Sequence, residues 1–265
     1  MSGALDPKKI KSAQRVLEVL EYFNRDRREC TVMDIARTYG YPQSSTSELL
    51  SCLVALGYLR RDIWARTYKP AARVAMIGAW IQPHLFRNGA LFSLIDEVVE
   101  DTGCSVMVSS RVGVSAQVFH ISGPEGVDTE YAVGEQLSLL HSAPGQLLVS
   151  TERSAELRKL VHRLNAETDE EHQVRPSEYQ ELIEQVVSEG WSSVLDEGHG
   201  VELVSVLLPL TAEDETLVVS VCLDAAVADE RRDDVVQTIR GAIARNLDPE
   251  RAAARDDIHY LHRVS

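Results

Sequence analysis

The sequence predicts an α+β chain in two parts: a small basic head of helices closed by a β-hairpin, then a larger acidic body built on a mixed, largely antiparallel sheet. Three observations carry that expectation. Apolar residues recur at three- and four-residue spacing through the first part, and the period falls to two in several runs from Cys104 onward. The charge divides with them: residues 1–75 hold 13 Lys and Arg against 8 Asp and Glu, and residues 76–265 hold 14 against 33. At 265 residues, 44% hydrophobic and 26% charged, the chain has length for two domains with sizeable cores. That composition excludes a peptide hormone, a small disulfide scaffold and a fibre.

In the head, residues 8–24 place Ile10, Ala13, Val16, Leu17, Leu20 and Phe23 on one helical face. After a polar break, Thr31 is an N-cap for a short second helix carrying Val32, Ile35, Ala36 and Tyr39, and Gly40 ends it. Pro42 stands at the first position of a third helix that reaches Ala55, with Leu49, Leu50, Leu53 and Val54 inward. Two helices joined by a few residues that include a glycine make a helix-turn-helix, whose second helix enters the DNA major groove. Its exposed start, Gln43-Ser44-Ser45-Thr46-Ser47, carries short hydrogen-bonding side chains suited to base edges and phosphates. Residues 58–62 and 67–70 then read as two short strands around a tip, a wing along which Arg60, Arg61, Arg66 and Lys69 would neutralise phosphates. Thr31 joins these as an expected DNA contact. Capping and a solvated arginine face would explain any one element; the ordered set points to double-stranded DNA.

The run TVMDIARTYGYPQSSTSELLSCLVALGYLRRD, with KSAQRVLEVLEYF before it, resembles the winged helix-turn-helix of the isocitrate-lyase regulator (IclR) family of bacterial transcription factors. The resemblance continues weakly but collinearly through the rest of the chain. It implies a DNA-binding domain over residues 1–72 whose partner is double-stranded operator DNA, a linker helix over 73–84, a GAF-like effector-binding domain over 85–248 and a tail over 249–265. The linker carries Val74, Ile77, Ala79, Trp80 and Ile81 before Pro83. A helix this apolar packs either on its own domain or on a second subunit, and the resemblance favours a homodimer or homotetramer.

In the body, a helix over residues 86–101 buries Leu91, Leu94, Ile95, Val98 and Val99 and closes at Gly103. Two β-rich runs, CSVMVSSRVG and VSAQVFHISG, break at Gly113 and at Gly123-Pro124, and a third strand is expected near residues 131–133. Helical patterns return over residues 154–165 and 176–189, followed by strands in WSSVL, VELVSVLLPL and TLVVSVCLD. A last helix runs through Val235, Val236, Ile239 and Ile243. The tail after Pro249 has little to bury.

The resemblance also implies a small-molecule pocket. LLHSAPGQLLVS resembles the family's loop into a helix, with His141, Ser142, Ala143 and Pro144 facing the pocket and Gly145 at the helix entry. EGWSSVLDEGHG resembles the segment that ends in acidic residues, here Asp196 and Glu197, and VVSVCLD the last strand, with Ser220 and Cys222 on one sheet face. The chain departs from the family at Leu140, often His there, at Gln146, usually Lys, and at Leu207, near its usual Pro. Ser142 with the backbone amides of a helix start suits a carboxylate, so the expected effector is a small organic acid, aromatic acids included. Asp196 and Glu197 either accept from a ligand hydroxyl or are solvated turn residues, and His141 is either a ligand contact or a structural residue.

No Gly-x-Gly-x-x-Gly, Walker A, Gly-x-Ser-x-Gly or His-Glu-x-x-His motif occurs, and no histidine has partners at metal-ligand spacing. No catalytic residue, metal or cofactor is therefore expected. Cys30, Cys52, Cys104 and Cys222 form no Cys-x-x-Cys pair, and no basic segment followed by an apolar one opens the chain, which fits a reducing cytoplasm. Apolar runs fall far short of the roughly 18 residues of a membrane span. Two other classes stay open: a small-molecule sensor acting through a protein partner, and a thiol-dependent redox enzyme of the GAF type, which needs paired reactive thiols.

Overall fold

The computed structural model describes residues 10–24, 27–78, 89–127, 131–209 and 215–247, and the chain divides into two compact units, Met1–Ile81 and Gln82–Ser265. The first unit contains α1 (Lys11–Glu21), α2 (Val32–Tyr39), α3 (Gln43–Ala55), the antiparallel hairpin of β1 (Leu59–Asp62) and β2 (Thr67–Pro70), and α4 (Ala72–Gly78). A reciprocal capping box starts α2: Thr31 N donates to Asp34 Oδ2 at 2.7 Å and Asp34 N to Thr31 Oγ1 at 3.2 Å. Gly40 ends it in the left-handed conformation at φ 67°, which an L side chain resists. Pro42 is the N-cap of α3 and not its first helical residue, so the turn between the two helices is Gly40-Tyr41-Pro42. Val19, Ile35, Leu50, Leu53, Leu59 and Tyr68 form the core. Paired backbone bonds between Cys30 and Tyr68, at 2.9 and 2.8 Å, tie the approach to α2 to the hairpin.

Arg73 fastens α4 to the end of α3, donating from Nη1 to the Leu56 carbonyl at 2.7 Å. None of the seven residues of α4 is buried, and Met76 is 71% exposed. The rest of the expected linker helix lies outside the described residues, as does the tail.

The second unit is a three-layer sandwich around a six-stranded antiparallel sheet in the order β5-β4-β3-β8-β7-β6. Its strands are β3 (Ser105–Val112), β4 (Ser115–Ser122), β5 (Gln136–Ser138), β6 (Trp191–Asp196), β7 (Val201–Leu207) and β8 (Leu217–Asp224). One face packs on α5 (Ala90–Thr102) and α9 (Ala228–Asn246), through Leu94, Val98, Val219, Val221 and Ile239 among others. The opposite face packs under α6 (Ala143–Val149), α7 (Ser154–Ala166) and α8 (Pro176–Glu189), through Met107, Leu147, Val161, Ile183 and Leu203. Strict alternation in β3, β7 and β8 feeds both cores, which is why these central strands are apolar on both sides.

One strand stands elsewhere than expected. Residues 131–133 are not a strand; β5 begins at Gln136, after a turn in which Gly134 takes φ 90° and its N–H donates to the Val118 carbonyl at 2.7 Å. Tyr131 is buried as a side chain instead. Among the described residues, no helix is long and apolar enough to cross a membrane.

Candidate functional site

The head presents two elements to one class of ligand. On α3, Gln43, Ser44, Glu48, Ser51 and Cys52 are exposed, and Ser45 and Ser47 half-buried, so the outward stripe runs further along the helix than its first five residues. Thr46 corrects the expectation: it is 1% exposed, and its hydroxyl donates to the Pro42 carbonyl at 3.0 Å. It faces the core and stabilises the helix start. Ser45 donates to the same carbonyl at 3.1 Å. Thr31 is engaged likewise, its hydroxyl 2.8 Å from Asp34 Oδ2 and accepting from Asp34 N, so its role in the structure is to cap α2.

On the hairpin, Arg60 pairs with Lys69 and Arg61 with Tyr68, so the two arginines leave on opposite faces. Arg61 lies over the Tyr68 ring at 5.8 Å. Lys69 is held by Glu29 at 2.9 Å, an exposed ion pair, and the hydrogen bonds from Lys69 and Thr67 hold the Glu29 carboxyl below its ordinary range. Arg60, Arg61 and Arg66 are exposed. Arg66 is the one non-glycine residue with positive φ, 56°, among the described residues.

In the body, the expected pocket loop is closed on itself. Ser142 caps α6: its hydroxyl donates to the Ser138 carbonyl at 2.6 Å and accepts from Gly145 N at 3.1 Å. The Gln146 amide is bonded to the Ser142 carbonyl and Pro144 has none. In the structure the Ser142 hydroxyl, expected to meet a carboxylate, is thus engaged within its own loop. His141 is exposed, with its Nε2 2.8 Å from the His172 carbonyl. Gly145 must be glycine, because a Cβ there would lie 2.3 Å from the Ser138 carbonyl oxygen. That close approach seats Ala143 and Pro144, both buried, within the layer over the sheet.

The sheet beneath is more informative. Ser220 and Cys222 do share the face under α6, and both are buried. Register places Ser192, Ser205 and Ser220 side by side on β6, β7 and β8. The Ser205 and Ser220 hydroxyls are 2.8 Å apart, and Ser192 donates to Gln146 Oε1 at 2.6 Å. Ser109, fully buried two positions along β3 from the residue paired with Ser220, has an oxygen with no hydrogen-bond partner. A buried hydroxyl without a partner costs free energy. Ser109 and Ser205 were missed from sequence; Ser205 shows a signal, a lone hydroxyl flanked by valines in Val204-Ser205-Val206, whereas Ser109 is followed by Ser110 and shows none.

Asp196 lies at the end of β6, accepting from Tyr131 Oη at 2.7 Å and facing His199 Nδ1 at 3.0 Å. Burial would raise its carboxyl, but the bonds from Tyr131 and His199 outweigh that and hold it below the ordinary range. The same bond and burial push the Tyr131 phenol far up. Glu197 is exposed. Cys104 packs on the α9 side of the sheet and Cys222 on the α6 side, so the sheet separates these two thiols.

Comparison with known proteins gives matches over both units. The family model for the IclR helix-turn-helix domain matches residues 12–62, and that for the bacterial transcriptional regulator IclR C-terminal region matches residues 90–248. The Pca regulon regulatory protein of Pseudomonas putida is 23% identical over 97% of this chain and 86% of its own. The HTH-type transcriptional regulator XynR of Escherichia coli is 24% identical over 52% of this chain and 51% of its own, so the chain spans about half of that relative. Among solved structures, the Thermotoga maritima IclR superposes with TM-score 0.56 at 15% identity, covering 89% of this chain and 98% of its own. An IclR homologue from Microbacterium hydrocarbonoxydans, solved with 4-hydroxybenzoate, does so with TM-score 0.55 at 17% identity over 89% and 98%.

Proposed function

Because the chain belongs to the IclR family of bacterial transcriptional regulators, we propose that its head holds operator DNA in the cytoplasm while a small organic acid bound in its body sets how tightly. The observation that carries the DNA half is the exposed polar stripe of α3 beside a hairpin bearing Arg60, Arg61 and Arg66, in the basic part of an acidic chain. Gln43, Ser44 and Ser47 are the base-edge candidates, and the arginines with Lys69 the phosphate contacts. The body's acidity would repel the same polyanion and so orient it.

The effector half rests on the buried hydroxyls under α6. Ser109, Ser205, Ser220 and Cys222, with the Ser192–Gln146 pair beside them, lie in a layer whose other buried residues are largely apolar, which suits a small molecule with an apolar body and a few polar groups. Ala143 and Pro144 cover them, and Asp196 stands at the end of the same face as an acceptor for a ligand hydroxyl. The 4-hydroxybenzoate held by a structural relative supports an aromatic acid as the class to try first. Such a ligand shifts operator affinity only by binding one arrangement of the protein better than another.

The exposed apolar residues of α4 support pairing of two chains, as a dimer or a dimer of dimers, which would set two heads on half-sites one or more DNA turns apart. The experiment is fluorescence anisotropy of the full chain with the intergenic duplex beside its own gene, against random duplex at several salt concentrations. Specific binding, altered by a hydroxybenzoate or related acid, is the expected result. Equal weak binding to both duplexes would refute the operator reading, and operator affinity unmoved across a panel of acids would refute the effector reading.

A further inference from the structure

The two most exposed large hydrophobic side chains among the described residues are neighbours at the tip of the wing: Trp64 at 97% and Ile63 at 75%. Nothing in the head's core calls for them there, and an indole in water is unfavourable by the area it leaves wet. The tip is held in place. Asp62 Oδ1 accepts from the backbone N–H groups of Trp64 and Ala65 at 3.0 Å each, and these bonds keep the Asp62 carboxyl below its ordinary range. Arg66 closes the turn in the left-handed region. The pair is thus presented on a fixed hairpin, flanked by Arg60, Arg61 and Arg66, which argues for a polyanion beneath it and against a bare apolar partner.

We propose that Ile63 and Trp64 form an apolar wedge that enters the minor groove of the operator, unstacking or bending the duplex beside the bases met by α3. The proposal rests on the DNA-binding reading above and adds to it a contact that is not electrostatic. Four strand residues at about 3.3 Å each make β1 (Leu59–Asp62) roughly 13 Å long, so the hairpin sets the tip well beyond its own base. Apolar side chains inserted at a base step are a common means of kinking DNA from that side, and the arginines would anchor the wedge on the flanking phosphates.

The test uses the full chain and a duplex it enriches from a random-sequence library, labelled at both ends for energy transfer and carrying 2-aminopurine at successive steps. Trp64→Ala should weaken binding about tenfold, within the range for lost base–aromatic stacking, and should abolish the end-to-end shortening and the local 2-aminopurine brightening. Its salt slope should equal that of the unaltered protein, since no phosphate contact is lost, whereas Arg60→Ala should flatten the slope with the bend retained. Trp64→Phe should keep most of the bend. Because Trp64 touches so little, its removal leaves the head folded. Unchanged affinity and bend in Trp64→Ala overturn the wedge while the DNA reading stands. An altered oligomeric state with an unchanged bend also overturns it, since the tip would then be a protein contact. Failure to enrich any duplex overturns the DNA reading itself, and the wedge with it.

Discussion

The hydroxyl of Ser205 on β7 meets that of Ser220 on β8 at 2.8 Å, between paired register positions and wholly buried beneath α6. Each satisfies the other in an apolar layer. Ser205→Ala alone should cost about 1–3 kcal/mol by leaving the Ser220 hydroxyl unpartnered, while Ser205→Ala with Ser220→Ala should cost less than the sum of the single changes. Urea denaturation of the four proteins reads the coupling, and strict additivity would refute the pairing. If the same hydroxyls receive the effector, either change should also weaken the response of DNA binding to the acid.

Gly145→Ala should disrupt the body more than any exposed substitution, because the new methyl would lie 2.3 Å from the Ser138 oxygen and 2.6 Å from the Leu139 Cα, both backbone. The expected loss is about 2–3 kcal/mol or more. Thermal denaturation checks it, and a midpoint within a degree or two of the unaltered protein would show that the loop yields.

Arg60→Ala and Arg61→Ala should each lower the salt slope of DNA binding by about one, with similar losses on specific and random duplex. Lys69→Ala should do less, because Lys69 must first give up Glu29. Glu29→Ala should therefore strengthen binding. Anisotropy titrations over a salt series decide between these, and a larger effect for Lys69 than for Arg60 would contradict the geometry.

Thr31→Ala should act on stability and hardly on sequence preference. Loss of the capping box at α2 costs about 0.5–2 kcal/mol, and a head-domain melt would reveal it. A changed base preference with unchanged stability would restore Thr31 to the DNA surface.

Acid should unlock the body at Glu202. Its side chain is 10% exposed, and Arg232 binds it from Nε and Nη2 at 2.5 and 2.9 Å. The guanidinium, with Ser193, holds the carboxyl below its ordinary 4.5 against the opposing effect of burial. A folded value below the unfolded one contributes stability that is complete above about 4.5 and is lost as pH falls through the folded value. Glu202→Gln should be less stable at neutral pH and show a flatter acid limb in denaturation midpoints taken from about pH 6 to pH 3. Parallel curves would exclude the ion pair as a source of acid lability.

The two-part architecture, the order of the elements and the winged head were legible in the chain, because apolar periodicity, the Thr31 cap, the Gly40 stop and the charge division are local properties. Strand WSSVL and the helix at Pro176 stand where their patterns put them. The short strand β5 did not, since three residues between turns carry too little periodicity to distinguish residues 131–133 from 136–138.

What a side chain is free to do was decided by the tertiary structure. Thr46 and Ser44 look alike as letters, yet the rotation of α3 buries one and exposes the other. Ser142 was expected to receive a ligand and is engaged by its own loop, while Ser109 and Ser205, unremarked in sequence, lie with Ser220 on one face only because strand register aligns β3, β7 and β8. Periodicity is set by neighbours along the chain; the partner of a hydroxyl is set by residues 15 apart, as for Ser205 and Ser220, or 46 apart, as for Ser192 and Gln146, and only folding brings those together.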